Sequence, residues 1–278
     1  MKIAIRHQMH LELGEGAARA IQHMLLTPQS SSVQTVREWA VEVEGLDEPA
    51  GFRDAYGNRA HLASQTRPPA HLVISVAGVV ETHDRAGVVG RLTGDPVPAL
   101  FRRMTPAVKP IGAVLSRFRS APATGKDRIP LLHALMERVG EVLTRDEVTQ
   151  SQSQGQSQDS GGQSQSQSQG SAAEKKPAAP ADFAHAFIGA ARTIGIPARY
   201  VSGYLVADGA DEAGFHAWAE AWDDGLGWIG FDPMLNLCPT ERHVRVATGL
   251  DAIAAMPVRS VPSVGVPQVS GLSISAAQ

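Results

Sequence analysis

The chain has 278 residues, of which 43% are hydrophobic, 5% aromatic and 19% charged. That length makes one large domain or two small ones, and the apolar share excludes a wholly disordered chain. Lys and Arg number 25 against 28 Asp and Glu, a formal net charge of −3, which gives no general electrostatic footing for nucleic acid. The single cysteine, Cys238, excludes an internal disulfide and any multi-cysteine zinc or iron–sulfur site. No stretch approaches the roughly 18 apolar residues of a membrane span. The N-terminus turns polar at Arg6-His7, too soon for a signal peptide, so the expected compartment is the cytoplasm.

The first ninety or so residues read as β. Ile3, Ile5, Met9, Leu11 and Leu13 alternate with polar or small positions, with His7 interrupting the apolar row. Trp39, Val41 and Val43 alternate with Glu38, Glu42 and Glu44 in the same way. Residues 54–58 give a turn signal, and the β-branched run 71–80 has strand propensity. Short strands with this punctuation predict a small antiparallel sandwich or sheet. Helical spacing follows in pieces at Leu100, Phe101, Met104 and Val108, broken by Pro98, Pro106 and Pro110. A longer helix is predicted from about Asp127 to Val148, on Ile129, Leu132, Leu135, Met136, Val139 and Leu143.

The composition then changes sharply. Residues 150–171 comprise nine Gln, eight Ser, four Gly and one Asp. Nothing there can be buried to offset ordering entropy, so a disordered linker is expected, with self-association as the sharper alternative. Helical spacing resumes at Phe183, Phe187, Ile188, Ala191 and Ile194. Pro180 suits the first turn, and Gly195 with Pro197 the end. Residues 199–205 and 216–222 read as strands. Asp223-Asp224-Gly225-Leu226-Gly227 is a hairpin turn into a partner strand, 228–231.

That hairpin carries the chemistry. With the turn centred near Gly225, position 216 faces about position 234, and Asp232 falls within diagonal reach of His216. A carboxylate beside an imidazole fixes its tautomer and stabilises the imidazolium, the base–orienter half of a nucleophilic triad. The third member would be a Cys or Ser opening a helix, where the dipole favours a thiolate. The helix near residue 180 opens Ala178-Ala179-Pro180-Ala181-Asp182, without thiol or hydroxyl.

At these residues the sequence resembles the bacterial transglutaminase-like family, a branch of the papain-like thiol enzymes. The resemblance rests on Asp182-Phe-Ala-His185, Gly195-Ile-Pro-Ala-Arg-Tyr-Val-Ser-Gly-Tyr204, His216-Ala-Trp-Ala-Glu-Ala-Trp222, Gly227-Trp-Ile-Gly-Phe-Asp-Pro233 and Cys238-Pro-Thr-Glu-Arg-His-Val-Arg-Val-Ala247. Ile5-Arg-His7 and Asp54-Ala-Tyr-Gly-Asn58 extend it into the family's β-rich leader. It implies catalytic roles for His216 and Asp232, and it places the family's nucleophilic cysteine at Pro180. Proline cannot attack an acyl carbon, so a catalytically inactive protein is expected. Cys238 lies where the family pattern often has a cysteine, which reads as a small half-buried thiol; a relocated nucleophile is the alternative.

The expected fold is α+β, a β-rich N-terminal domain followed by a papain-like transglutaminase core with its helix packed on an antiparallel sheet. The N-terminal domain is assigned to residues 1–95 and the core to 96–148 and 178–260. The insertion covers 149–177 and a flexible tail 261–278. Trp218, Trp228 and His185 are candidates for a cleft that binds a peptide or protein segment. His185 reads otherwise as a packed histidine, and Arg192 and Arg199 as members of ion pairs. Nothing in the spacing of His185, His216 and Asp232 requires a metal. No cofactor, metal, nucleic acid or membrane is expected as a partner.

Overall fold

The computed structural model describes residues 1–46, 48–118, 127–155, 178–206, 214–265 and 267–276. The N-terminal part is a pair of antiparallel sheets. Strands β1 (Lys2–Glu12), β2 (Arg19–Thr27), β3 (Gln34–Val43), β4 (Ala50–Arg53), β5 (Arg59–Thr66) and β6 (His71–Thr82) supply most of it. Alternation places the apolar row of β1 inside: Ile3, Ile5, Met9 and Leu11 are all buried. His7 belongs to that row and is buried with it. The turn at 54–58 forms because the Asp54 carboxylate accepts the amides of Tyr56 and Asn58, with Gly57 at φ +85°.

The second part is a five-stranded antiparallel sheet with helices against it. Its strands are β7 (Val88–Gly90), β8 (Ala198–Leu205), β9 (Gly214–Asp223), β10 (Gly227–Phe231) and β11 (His243–Gly249), in the order β11-β8-β9-β10-β7. A 3-10 turn at Pro98–Arg102 precedes α1 (Gly112–Leu115), α2 (Arg128–Gly155) and α3 (Pro180–Thr193). The core lies where Phe183, Ala184, Phe187 and Ile188 of α3 meet Ala217, Ala219 and Ala221 of β9. Small side chains on the strand let the helix settle close to it, and the phenylalanines fill the space. Arg192 makes no ion pair among the described residues, contrary to expectation. Its guanidinium donates to the carbonyls of Ala198, Arg103 and Leu250, at 3.0, 2.6 and 2.7 Å. It thereby binds the end of α3 to the sheet and to two loops.

Three boundaries differ from the sequence expectations. The stretch assigned to a flexible tail, 261–278, is not free over its described residues, because β12 (Val258–Val261) pairs with β2 and β13 (Gln268–Ala276) with β1. The two sheets therefore run β13-β1-β6-β3 and β12-β2-β5-β4, each completed by the C-terminal stretch. The otherwise unpaired edges of β1 and β2 supply the hydrogen-bond partners that composition could not reveal. Residues 88–90, assigned to the N-terminal domain, form β7 and pair with β10 of the core. Helix α2 runs on to Gly155 and so takes in the start of the Gln/Ser tract; an established helix propagates easily through glutamine. The remaining tract, 156–177, lies outside the described residues, as does the self-association reading attached to it.

Candidate functional site

The β9–β10 hairpin has the register expected of it: Trp222 faces Trp228 and Ala219 faces Phe231. The chain leaves β10 at Phe231 and is pinned by a two-way backbone bridge between Asp232 and Leu237. This holds the Asp232 carboxylate under the sheet, with its Oδ1 accepting the amides of Met234 and Leu235 at 3.1 and 3.2 Å. Its Oδ2 lies 2.5 Å from Nε2 of His216. Both groups are buried, Asp232 completely.

A residue that the hairpin argument did not reach joins them. His243, on β11, places its Nε2 3.2 Å from the same Oδ2. Burial alone would raise the Asp232 pKa, but the hydrogen bonds and charges of the two imidazoles outweigh it and hold the carboxyl down to about 2. Asp232 is therefore ionised at neutral pH, and His216 donates to it through Nε2. The other ring nitrogen of His216, Nδ1, has no hydrogen-bond partner among the described residues, and it carries the lone pair of the neutral ring.

Strand order explains how the two histidines meet. They sit on β9 and β11, with β8 between them. Gly203 of β8 lies opposite His216 on one side and Arg245 on the other. A Cβ at 203 would stand 2.6 Å from the Trp218 ring and would also meet the Val244 carbonyl. Because glycine leaves that space open, Trp218 lies edge-on to His243 at 5.3 Å and the imidazoles approach to 5.9 Å between centroids. The same face carries the buried Glu220, which accepts from Arg199 Nε at 2.6 Å and Arg245 Nε at 2.7 Å. The alanines of β9 alternate with this polar row and face α3.

His216, Asp232 and His243 bring three ligand atoms within 4.8 Å of one another. Their hydrogen bonding suits protons better than a cation. The Thr240 amide donates to His243 Nδ1 at 3.2 Å, so the neutral ring keeps its proton on Nε2 and directs it at Asp232. A metal would need the lone pair at that position. His185 lies elsewhere: its Nε2 accepts the Ala252 amide at 3.0 Å and its ring packs on Tyr200.

The cleft expectations need correction. Trp228 is buried between Phe101 and Trp222, with the Arg199 guanidinium 3.9 Å above its ring. It is a core residue because that cation needs an apolar, π-rich cover. Trp218 is buried against His243 and supports the histidines from behind. His185 is a packed residue of α3. Arg199 pairs as expected, with Glu220 and with Asp95, each at 2.6 Å.

Pro180 opens α3, where its missing N–H is no loss, and Asp182 accepts the Ala179 amide at 2.8 Å in place of a capping side chain. Cys238 packs beside Gly87, and burial pushes its thiol pKa up. Among the described residues no imidazole hydrogen-bonds its sulfur.

Residues 145–233 match the core of the transglutaminase-like superfamily, and residues 3–81 match the bacterial transglutaminase-like N-terminal region. The chain belongs to the bacterial transglutaminase-like family. An uncharacterized protein of Mycobacterium leprae is 28% identical to this transglutaminase-like chain over 257 residues, 89% of this chain and 88% of the relative. An uncharacterized protein of Mycobacterium tuberculosis H37Rv is 34% identical over 91 residues, 29% of each chain. A crystal structure from Cytophaga hutchinsonii, provisionally assigned to a cysteine protease, superposes with a TM-score of 0.59 at 18% identity. The match covers 100% of this chain and 90% of that one. At that identity the likeness establishes the shared fold. No helix of the described residues is long and apolar enough to cross a membrane.

Proposed function

We propose that this chain is a catalytically silent member of its family, which keeps the base and its orienter but no nucleophile and uses the site to bind a peptide or protein segment. One observation carries the reading. The His216–Asp232 pair is intact and braced by His243, whereas the helix that would present the family's cysteine begins with Pro180. His216 Nδ1, which has no hydrogen-bond partner among the described residues, is the group offered to a bound amide. A thiol hydrolase acting through Cys238 is disfavoured by the direction of its pKa, because an attacking thiol needs its thiolate. The reading places the protein in the cytoplasm, where a lone thiol stays reduced.

Two measurements test it. Release of ammonia from a glutamine-containing peptide should stay at background for the natural chain. Turnover above background that survives Pro180→Ala would overturn the reading, and abolition of such turnover by Cys238→Ser would install the alternative. In the gain-of-function arm, Pro180→Cys should introduce a second thiol that iodoacetamide alkylates at least about tenfold faster at pH 7 than Cys238. Adding His216→Ala should remove most of that advantage. An introduced thiol no faster than Cys238 would mean that the dyad does not face the helix start.

A further inference from the structure

A cavity of ≈ 410 Å³ opens at the seam between the two parts of the molecule, away from the histidines. Its walls come from the β2–β3 connection, the 53–58 turn, residues 91–95 and β11. The volume falls within the range of small-molecule sites. Its distinguishing feature is a pair of arginines that reach no carboxylate among the described residues.

The charges can be counted. Arg199 and Arg245 share Glu220, and Arg199 also pairs with Asp95. That set of four is neutral. Arg53 and Arg91 also line the cavity, and neither has a carboxylate partner among the described residues. Arg53 donates one bond, from Nη1 to the Gly57 carbonyl at 2.9 Å. Arg91 donates one, from Nη2 to the Asp224 carbonyl at 2.7 Å, and lies 4.9 Å above the Trp222 ring. The nearby Asp54 carboxylate is committed to its own turn, through Tyr56 and Asn58. A guanidinium has five N–H donors, so most of the donors on both arginines are unspent.

The buried floor is short of acceptors too. Arg245 is 6% exposed and lines the cavity; Nε and Nη2 reach Glu220, while Nη1 has no hydrogen bond among the described residues. Behind Asp95, Arg199 Nη2 is buried with no hydrogen-bond partner among the described residues. A buried guanidinium that lacks acceptors is costly unless something supplies them. Geometry holds the rim in place as well. Gly94, at φ +83°, leaves room for the Arg53 guanidinium, whose Nη1 would lie 3.0 Å from a Cβ there.

We propose that this seam cavity binds a small oxyanion, a carboxylate or phosphate compound, gripped between Arg53 and Arg91 at the rim and Arg245 at the floor. Planar guanidinium forks match both groups in bidentate geometry. Because the walls come from both parts of the chain, the ligand also ties those parts together.

Isothermal titration of the full chain with inorganic phosphate, pyrophosphate and succinate tests it. At least one probe should bind saturably at millimolar or tighter, raise the thermal midpoint, and weaken as salt rises. Phosphate or pyrophosphate binding without succinate assigns a phosphate compound, and the reverse assigns a carboxylate. Arg53→Gln and Arg91→Gln alter exposed side chains and, at the loss of one backbone hydrogen bond each, should lower the free protein's thermal midpoint by only a few degrees. Each should weaken binding roughly tenfold. Absence of saturable binding for all three probes would overturn the proposal. So would affinity unchanged in the Arg53→Gln/Arg91→Gln double variant.

Discussion

At position 203 the backbone of β8 passes between the two strands that supply the histidines. Any side chain there would fill the gap through which Trp218 and His243 approach. Gly203→Ala should therefore overpack this face by about 2–3 kcal/mol. The expected readout is a lower urea midpoint at an unchanged m-value, with loss of the shared Asp232 contact seen in imidazole NMR shifts. An unchanged midpoint would show that the gap is not filled as described. The residue scale also shows where sequence reading stops. His216 and Asp232 are legible because one hairpin turn fixes their register. His243 stands in the block beginning at Cys238, but its contact crosses an intervening strand. Neither spacing along the chain nor the 3.6 or 2.0 periods encodes which strands neighbour one another. The buried tryptophans escape sequence reading for a related reason: aromatic content marks burial and clefts alike, and only the Arg199 stack over Trp228 decides between them.

Among the elements, α3 and the β9–β10 hairpin are local structures and follow from local signals, a proline start, a glycine stop and a two-period strand pair. β13 is the opposite case. Its residues are mostly exposed, so its sequence carries little apolar alternation, and its partner β1 lies at the other end of the chain. What holds it is a backbone ladder, running from Ile3 opposite Ala276 to His10 opposite Gln268. Each such bond contributes modestly after the entropy of ordering the strand. Deleting residues 267–278 should cost about 1–3 kcal/mol in stability by urea melting. It should also uncover the edge of β1, which then pairs between molecules. Sedimentation of the truncated chain should accordingly show concentration-dependent association. A monomer of undiminished stability would mean that the edge is protected in some other way.

For the molecule as a whole, the seam between its two parts makes folding sensitive to pH. His7 of β1 reaches across it to the Tyr204 hydroxyl at 2.7 Å, with the Phe215 ring edge-on at 5.1 Å. Its Nδ1 is buried without a hydrogen-bond partner among the described residues, and burial pushes its pKa down to about 4. The unfolded chain therefore takes up this proton before the folded one does. His7 contributes its full stability above the unfolded value of about 6.5, and that contribution is lost as pH falls toward 4. The displacement corresponds to a loss of the order of 3 kcal/mol across the window. Asp232, held at about 2, contributes stability above the usual carboxylate value, and this is lost only at lower pH as the site itself protonates. Urea melts at pH 7, 5.5, 4 and 3 should show a steady decline that becomes shallower between pH 7 and 4 in His7→Gln, whose amide can still bond the Tyr204 hydroxyl; burial also holds His23, His61 and His185 below the usual value, and they keep part of the slope. The further decline below pH 4 should persist in that variant, because it belongs to the buried carboxylates, Asp232 and the arginine-paired Glu220, and not to His7. If His7→Gln keeps the full slope between pH 6.5 and 4, the neutral histidine is not what makes the junction acid-sensitive. The two windows separate because the groups resist protonation for different reasons. Burial away from any anion keeps a proton off His7, whereas the hydrogen bonds of two imidazoles keep one off the Asp232 carboxylate.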